Sequence, residues 1–541
     1  MRIDPIDLQT TNPLIKDYRQ ARERVQDKFH YHPFHSTVFA DRKKDLKEQS
    51  FQRDELVRVL HEINGEWDAP RSTVENIDRL ADTKSTVVIG GQQAGLLTGP
   101  LYSVHKLISI IYLSRKAEKE EGTPVIPVFW IAGEDHDFDE INHVFLPEDN
   151  RMQKYQVKHT PVKKSSVTDI PMDKPAVEEW LGQVFSQLEE SVYTKDLENQ
   201  IYQVISQSNS YVDFFARLIF HLFREEGVVL VDSHHSSFRK LESQHFKAMI
   251  HNQQQITQGV YAAWQQNMQQ GYPVSLDCNL ADVHLFYHHD GERVLLMKGE
   301  DGKYYGKQNE VVLTKEQLLD LAEEHPESLS NNVVTRPLMQ ELMFPTLAFI
   351  GGPGEINYWS VLKPAFEAME VKMPPVFPRL SFSLIDRKTA KYLDRFHLRA
   401  GDVIEKGVSH EKTAWLTSQS YPPLEAITEQ VKNGIERIHQ PLREKAAEIR
   451  DDVSQLADKN LAYLFKDIEF LEQRMTKALE EKHASELNKF DYLELVLHPG
   501  EGLQERMWGI LPWMNQYGWE IFQEILEHDM RFEEAHHCIY L

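Results

Sequence analysis

The chain has 541 residues, 41% of them apolar, and a formal net charge of −24. That length supports a large core and two or three domains, and that apolar fraction marks a folded chain. The negative balance argues against nucleic acid and anionic membrane as partners, no apolar run reaches membrane-spanning length, and MRIDPIDLQTTNPLI lacks the basic-then-apolar order of a signal peptide. Only Cys278 and Cys538 are present, so neither a disulfide framework nor a cysteine-rich metal site is expected, and a cytoplasmic setting fits.

Residues 1 to about 83 read as mainly helical. Leu56, Val57, Val59, Leu60 and Ile63 stripe one helix, closed by Trp67 and Pro70. Tyr18, Phe29, Tyr31, Phe34 and Phe39 read as packing groups, since no basic stripe accompanies them. The central stretch is VVIGGQQAGLLTGPLYSVHK, from Val87 to Lys106. Val87 to Ile89 predicts a buried strand that Gly90 and Gly91 end. Gly95 and Gly99 bracket a turn, and Pro100 opens a helix through Val104, Ile108 and Ile111. Strand, glycine-rich loop and helix start in that order can turn backbone amides toward an anion. The spacing is neither the dinucleotide fingerprint nor a Walker loop. Tight packing of the loop on the sheet is the competing reading.

Val125 to Ile131 predicts a second strand, so the pair is a parallel βαβ unit with a right-handed crossover. Its end, GEDHDFDE, carries Glu134, Asp135, His136, Asp137, Asp139 and Glu140. Ligands in open α/β sheets collect at such strand ends. Asp135 and Asp137 are suited to a substrate ammonium or to hydrated magnesium opposite phosphates. His136 can move a proton near neutral pH. Capping of the next helix is the plainer alternative. No zinc spacing is present, so no metal ligands are assigned.

From Phe145 the chain turns polar, with a mildly basic stretch from Lys154 to Lys164 and a helical pattern from Val177 to Tyr211. This reads as an insertion between sheet strands. A helix over Phe214–Phe223 and a strand over Gly227–Asp232 follow, and Asp232 and Ser233 are placed to meet the adenosine or sugar of a nucleotide. Phe238 to Gln269 is helical. Asp290-Gly291 marks a hairpin within 277–307, and Cys278 beside it reads as structural. A short helix over Leu313–Leu321 comes next. After a helix at Pro337–Leu342, the strand Thr346–Ile350 ends in Gly351-Gly352-Pro353-Gly354, and Glu355, Asn357 and Tyr358 open the next helix. This repeats the logic of the first turn and suggests two strand ends facing one crevice. Arg336 can grip a carboxylate bidentately, with an ordinary salt bridge as the alternative. Pro374, Pro375 and Pro378 close the core.

Val431, Ile435, Ile438, Leu442, Ile449 and Leu456, then Leu464, Ile468, Leu471, Met475 and Leu479, sit near heptad spacing. They predict long helices packed as a coiled coil. Pro441 kinks the first or marks its start, and Leu487–Leu497 supplies a returning element. A seam left over after pairing within the chain would join two chains. Trp508, Trp513, Tyr517, Trp519 and Phe522 bring the tail back to the core.

GGQQAGLLTGPLYSVHK, FWIAGEDHDFDEINH and GGPGEINYW together resemble the cysteine-adding enzymes of bacillithiol biosynthesis in low-GC Gram-positive bacteria. The resemblance covers essentially the whole chain. It implies an α/β fold: a Rossmann-like parallel-sheet core with helical insertions and a long α-helical coiled-coil domain. The divisions are 1–144 for the first part of the core, 145–213 for a connecting-peptide-like helical insertion, 214–384 for the rest of the core with its β-hairpin, 385–504 for the coiled coil and 505–541 for the returning tail. It also implies a ligase that adds L-cysteine to the amino group of glucosaminyl-malate, a homodimer, and an adenine nucleotide, ATP or ADP, near the coiled coil. No two-histidine motif and no KMSKS-like loop stand out here. A nucleotide-binding scaffold with an inactive nucleotidyltransferase-like core is the alternative.

Amide formation needs an activated carboxyl group, a deprotonated amine and a stabilised oxyanion. His136 and Asp137 are the candidate bases, with His105 as a third catalytic candidate. Gln92, Gln93, Tyr102, Ser103, Glu134, Asp135, Arg336, Glu355, Asn357 and Tyr358 are the candidate substrate contacts. Gly95, Gly99, Gly352, Asp232 and Ser233 are the candidate nucleotide contacts.

Overall fold

The computed structural model describes residues 1–10, 12–161, 163 and 165–541, and the chain divides into two units. The first comprises 1–148, 152–383 and 505–539. The second comprises 149–151, 384–504 and 540–541.

The first unit is built on five parallel strands. They are β1 (Thr86–Gln92), β2 (Val125–Ile131), β3 (Val229–Asp232), β4 (Thr346–Gly351) and β5 (Val376–Pro378). Their order is β5-β4-β1-β2-β3, with every neighbouring pair parallel. All seven residues of β2 are buried, as expected for a strand covered on both faces. Successive strands run outward from β1 to β3 on one side and from β4 to β5 on the other. The winding therefore reverses between β1 and β4, and the carboxyl ends of those two strands flank a crevice.

β1 runs on through Gly90 and Gly91 to Gln92, where an end at Gly90 was expected. The glycines do not stop the strand; they let its neighbours come close. Gly90 and Gly91 lie in register with Phe129 and Trp130. A Cβ on Gly91 would stand 2.6 Å from the Trp130 carbonyl oxygen, and one on Gly90 would stand 3.0 Å from that of Ile350.

Helix α1 (Tyr102–Glu121) follows β1, buries Val104, Leu107, Ile108 and Ile111, and stops at Gly122 in the left-handed region. Helix α2 (Ser236–Gln269) follows β3. Helix α3 (Pro353–Trp359) follows β4, and Glu355 accepts the Gly352 N–H at its start. The polar stretch after β2 carries the helical pattern expected over Val177–Tyr211 only in its later part. It begins instead with a two-stranded ribbon, His143–Glu148 and Arg151–Gln156, before the helices Lys174–Ser186 and Thr194–Gln207. Lys164, the end of the basic stretch, lies outside the described residues. In the tail, Trp508, Trp513, Ile521 and Phe522 are buried. Among the described residues no helix is long and apolar enough to cross a membrane.

In the second unit, α4 (Leu424–Ile449) and α5 (Asp451–Lys482) form a hairpin. Lys432 meets Glu469 at 2.7 Å, His439 meets Asn460 at 3.0 Å and Arg443 faces Asp458 at 3.9 Å. Each step forward on one helix is matched by a step back on the other, so the pair is antiparallel. The turn is at Arg450, whose φ of −173° leaves helical geometry. Pro441 neither starts nor ends α4, which continues through it. Pro441 lies on an exposed face, so the carbonyl it leaves without an amide partner meets solvent. The returning element is α5, not Leu487–Leu497. That segment, in the helix Ala484–Leu497, packs on Arg387–Phe396, with Phe396 and Phe490 ring centroids 4.0 Å apart. Much of the predicted seam stays exposed: Ile438 is 80% exposed, and Leu442, Ile449, Leu456 and Leu471 are exposed as well.

The close approach at Gly91 sets a stability test. Gly91→Ala forces β1 away from β2 and is expected to cost about 1–3 kcal/mol, the usual penalty of overpacking. Gly354→Ala meets nothing within 4 Å and should stay within about 0.5 kcal/mol of wild type. Thermal or urea unfolding of both variants checks this, and equal stabilities would contradict the packing argument.

Candidate active site

The crevice between the ends of β1 and β4 opens into a cleft of about 1080 Å³. Gly91, Gln92 and Gln93 line it from β1, and Gly352 to Glu355 with Tyr358 line it from α3. The loop after β2 adds Glu134 to Asp137, and Arg379 comes from just beyond β5. The hairpin Asp282–His289 with Glu292–Lys298 contributes Phe286 and Arg293. Asn331, Asn332, Arg336, Tyr102, Lys106 and Glu505 line it as well.

Lys106 is buried on α1. Its ammonium donates to the Gly91 carbonyl (2.7 Å), to Gln92 Oε1 (3.2 Å) and to Glu355 Oε2 (2.5 Å). Burial pulls its pKa down, and the Glu355 carboxylate opposes that pull. Glu355 also stands 3.7 Å from Arg336, whose Nη2 donates to the Tyr358 hydroxyl at 2.6 Å. Burial raises the Tyr358 phenol above its ordinary range, so it stays a hydrogen-bond donor. Tyr102 is raised for the same reason.

The acidic loop divides into anchors and exposed groups. Glu134 is buried against Arg239, which also binds Glu242 at 2.6 Å, so it presents no free carboxylate to the cleft. Burial pushes Glu242 up to about 8 against the pull of Arg239. Asp135 accepts from Gln93 at 2.8 Å and lies 3.8 Å from Arg293, and Gln93 also donates to Glu140 at 2.7 Å. The Arg293 guanidinium sits 3.9 Å over the Phe286 ring. His136 lies 3.8 Å from both Asp135 and Asp137, with Arg293 Nη1 at 3.5 Å from its Nδ1. Asp137 is the most open of the three, with its side chain 57% exposed.

Several expected residues are elsewhere. The Gly95 and Gly99 amides donate to the carbonyls of Gln93 (3.0 Å) and Leu96 (2.8 Å), and the Leu101 N–H donates to the Trp508 carbonyl (2.8 Å). The turn holds itself and the start of α1 is occupied, so neither glycine faces the cleft. Asp232 is buried and accepts from Thr168 Oγ1 (2.9 Å) and the His234 N–H (2.9 Å), and Ser233 is buried beside it. Of the five nucleotide candidates only Gly352 reaches the cleft, and its amide already serves Glu355. Ser103 is buried on α1 outside the cleft lining. Asn357 is buried and spends its side chain on Pro273 O (3.0 Å) and Ser275 N (3.3 Å).

His105 is fully buried and also lies outside the cleft lining. Its Nδ1–H donates to Glu505 Oε2 at 2.8 Å, and its ring lies 3.5 Å, centroid to centroid, from Phe382. Glu505 in turn accepts two bonds from Arg379 (2.6 and 2.9 Å) and one from Ser381 Oγ (3.0 Å). The structure therefore places His105 behind the Glu505 wall of the cleft, bonded to that carboxylate. Reading the sequence missed Lys106, Arg293, Arg379, Glu505 and Asn331. Lys106 alone left a local signal, a charge within the apolar first half of its helix.

Burial pushes His105 and His284 down to about 4 and His536 down to about 3. Their unfolded values are near 6.5, so in this window the unfolded chain binds protons that the folded chain refuses. Stability should therefore be full above pH 6.5 and fall as pH drops toward 4. His105→Asn should remove up to about 1.4 kcal/mol per pH unit of that slope. Urea unfolding from pH 7.5 to 4.5 checks it, and an unchanged slope in the variant would contradict the buried neutral His105.

Two family models cover the chain. Residues 1–380 match the N-terminal Rossmann-like domain of bacillithiol biosynthesis BshC, and residues 382–541 match its C-terminal coiled-coil domain. Proteins named "Putative cysteine ligase BshC" are similar over their full length. That of Oceanobacillus iheyensis is 41% identical over 545 residues and that of a Geobacillus species 38% over 543, each covering 100% of both chains. That of Bacillus cytotoxicus is 40% identical over 528 residues, covering 98% of both chains. With the parallel core, the helical hairpin and both models in agreement, the chain belongs to the bacillithiol biosynthesis BshC family, the family of these cysteine ligases.

Proposed function

We propose that this chain joins L-cysteine to the amino group of glucosaminyl-malate, the last step of bacillithiol biosynthesis, in the cleft between β1 and β4. The observation that carries this reading is that Glu134 to Asp137 of the GEDHD loop line the same cleft as Lys106, Arg293, Arg336 and Arg379. Asp135 and Asp137 supply negative charge for an incoming ammonium. His136, 3.8 Å from both, or Asp137 itself takes the proton that makes the amine nucleophilic. Arg336, fixed through Tyr358, holds a carboxylate. Tyr102 and Tyr358 keep their protons and donate to oxygen atoms of the substrates.

A free carboxylate does not acylate an amine in water, so the cysteine carboxyl must be activated. We assign that task to an adenine nucleotide with magnesium, and leaving out either one tests the assignment. The exposed apolar stripe on α4 and α5 supports a homodimer formed through the hairpin.

Two tests follow from these assignments. Wild type with both substrates, nucleotide and magnesium should give the coupled product by mass spectrometry. Asp137→Asn should lower its formation roughly 10²–10⁴-fold with an unchanged melting temperature. A folded Asp137→Asn enzyme at wild-type turnover would remove Asp137 from the mechanism. For the assembly, sedimentation velocity should find the intact chain dimeric at micromolar concentration and an Ile438→Glu, Leu442→Glu, Leu456→Glu variant monomeric. A monomeric wild type would sink the dimer.

A further inference from the structure

We infer that Asn331 is a specificity-determining residue that reads the sugar hydroxyls of the amine substrate; this rests on the reaction proposed above. Asn331 ends the strand Leu329–Asn331, which pairs antiparallel with Asp282–His289 and places Asn331 opposite Leu285. Its carbonyl accepts from Arg293 Nη2 at 2.6 Å, so the residue is held from behind. The side chain is 1% exposed and lines the cleft. Neither its Oδ1 nor its Nδ2 has a hydrogen-bond partner among the described residues.

The neighbouring asparagine shows the contrast. Asn332 Oδ1 accepts the N–H groups of Val334 (2.8 Å) and Thr335 (3.2 Å), and its Nδ2 meets His284 Nδ1 at 3.2 Å. That amide closes the turn before the helix Thr335–Met343. The Asn331 amide serves no such purpose, and leaving it buried and unpaired destabilises the fold. A second group in the same wall is in the same condition: Arg336 Nε is buried with no partner among the described residues.

The donor set selects the ligand chemistry. Asn331 offers one acceptor and two donors, and Arg336 Nε offers one donor. A carboxylate only accepts and an ammonium only donates. A pair of hydroxyls does both. Of the two substrates, glucosaminyl-malate carries neighbouring neutral hydroxyls on its sugar, each a donor and an acceptor, whereas cysteine offers an ammonium, a carboxylate and a thiol that donates and accepts only weakly. The sugar therefore lies against Asn331.

The test is direct binding, independent of turnover. Asn331→Leu keeps the volume and removes the polar atoms, and Asn331→Ser keeps one hydroxyl. Titration calorimetry with glucosaminyl-malate should show affinity falling roughly tenfold or more in Asn331→Leu and less in Asn331→Ser. Affinity for L-cysteine and for malate alone should not change. Asn331→Leu should melt at or above the wild-type temperature, because it relieves an unpaired amide. Equal affinity in wild type and Asn331→Leu, no binding by wild type, an equal loss with malate alone, or a large fall in melting temperature in both variants would each overturn the inference. A wild type that binds the sugar through Asn331 yet yields no coupled product would contradict the proposed reaction and leave this contact standing.

Discussion

The three hydrogen bonds of the Lys106 ammonium hold the site together. One goes to the Gly91 carbonyl at the end of β1, one to Gln92 and one to Glu355 in the first turn of α3. They tie α1, the end of β1 and the helix after β4 across the point where the sheet reverses its winding. Breaking such a pair by removing one partner leaves an uncompensated buried charge, typically a loss of about 3–5 kcal/mol. The crevice exists because the strand order opens it, and it keeps its shape because this ammonium closes its floor.

Most of the other charges around the cleft are likewise tied to one another. Arg239 donates to both Glu134 and Glu242, and Arg379 with His105 fixes Glu505. These pairs cost desolvation and return geometry. Among the groups turned toward the cleft are the carboxylates of Asp135 and Asp137, the His136 imidazole between them, the Arg336 guanidinium and the unpaired Asn331 amide. The division explains why a cleft with many ionisable groups offers few reactive ones.

Local features of the fold were legible where the chemistry is local. β2 is a continuous apolar run between Pro124 and a charged loop, and its limits could be read directly. β1 extends past the limit its glycines suggest, because close strand packing requires glycine there. The acidic loop and the two glycine turns drew attention because charge and glycine follow directly on buried strands. That they face one crevice depends on the pairing of β1 with β4, which no local pattern encodes. The Arg379–Glu505 and His105–Glu505 contacts span 126 and 400 positions, so sequence reading could not join them. The heptad spacing was readable, but its turn was not: Arg450 carries no glycine or proline signal, while Pro441 inside α4 gave a misleading one.

The most direct measurement of the central claim is a crystal structure of the chain soaked with glucosaminyl-malate. The account predicts density in the cleft between Gln92 and Gly352, with the amino nitrogen toward His136 and Asp137 and the sugar ring against Asn331. Density only elsewhere, for example in the separate cavity lined by Asp169, His234 and His288, with the β1–β4 cleft free of ligand at saturating concentration, would contradict it.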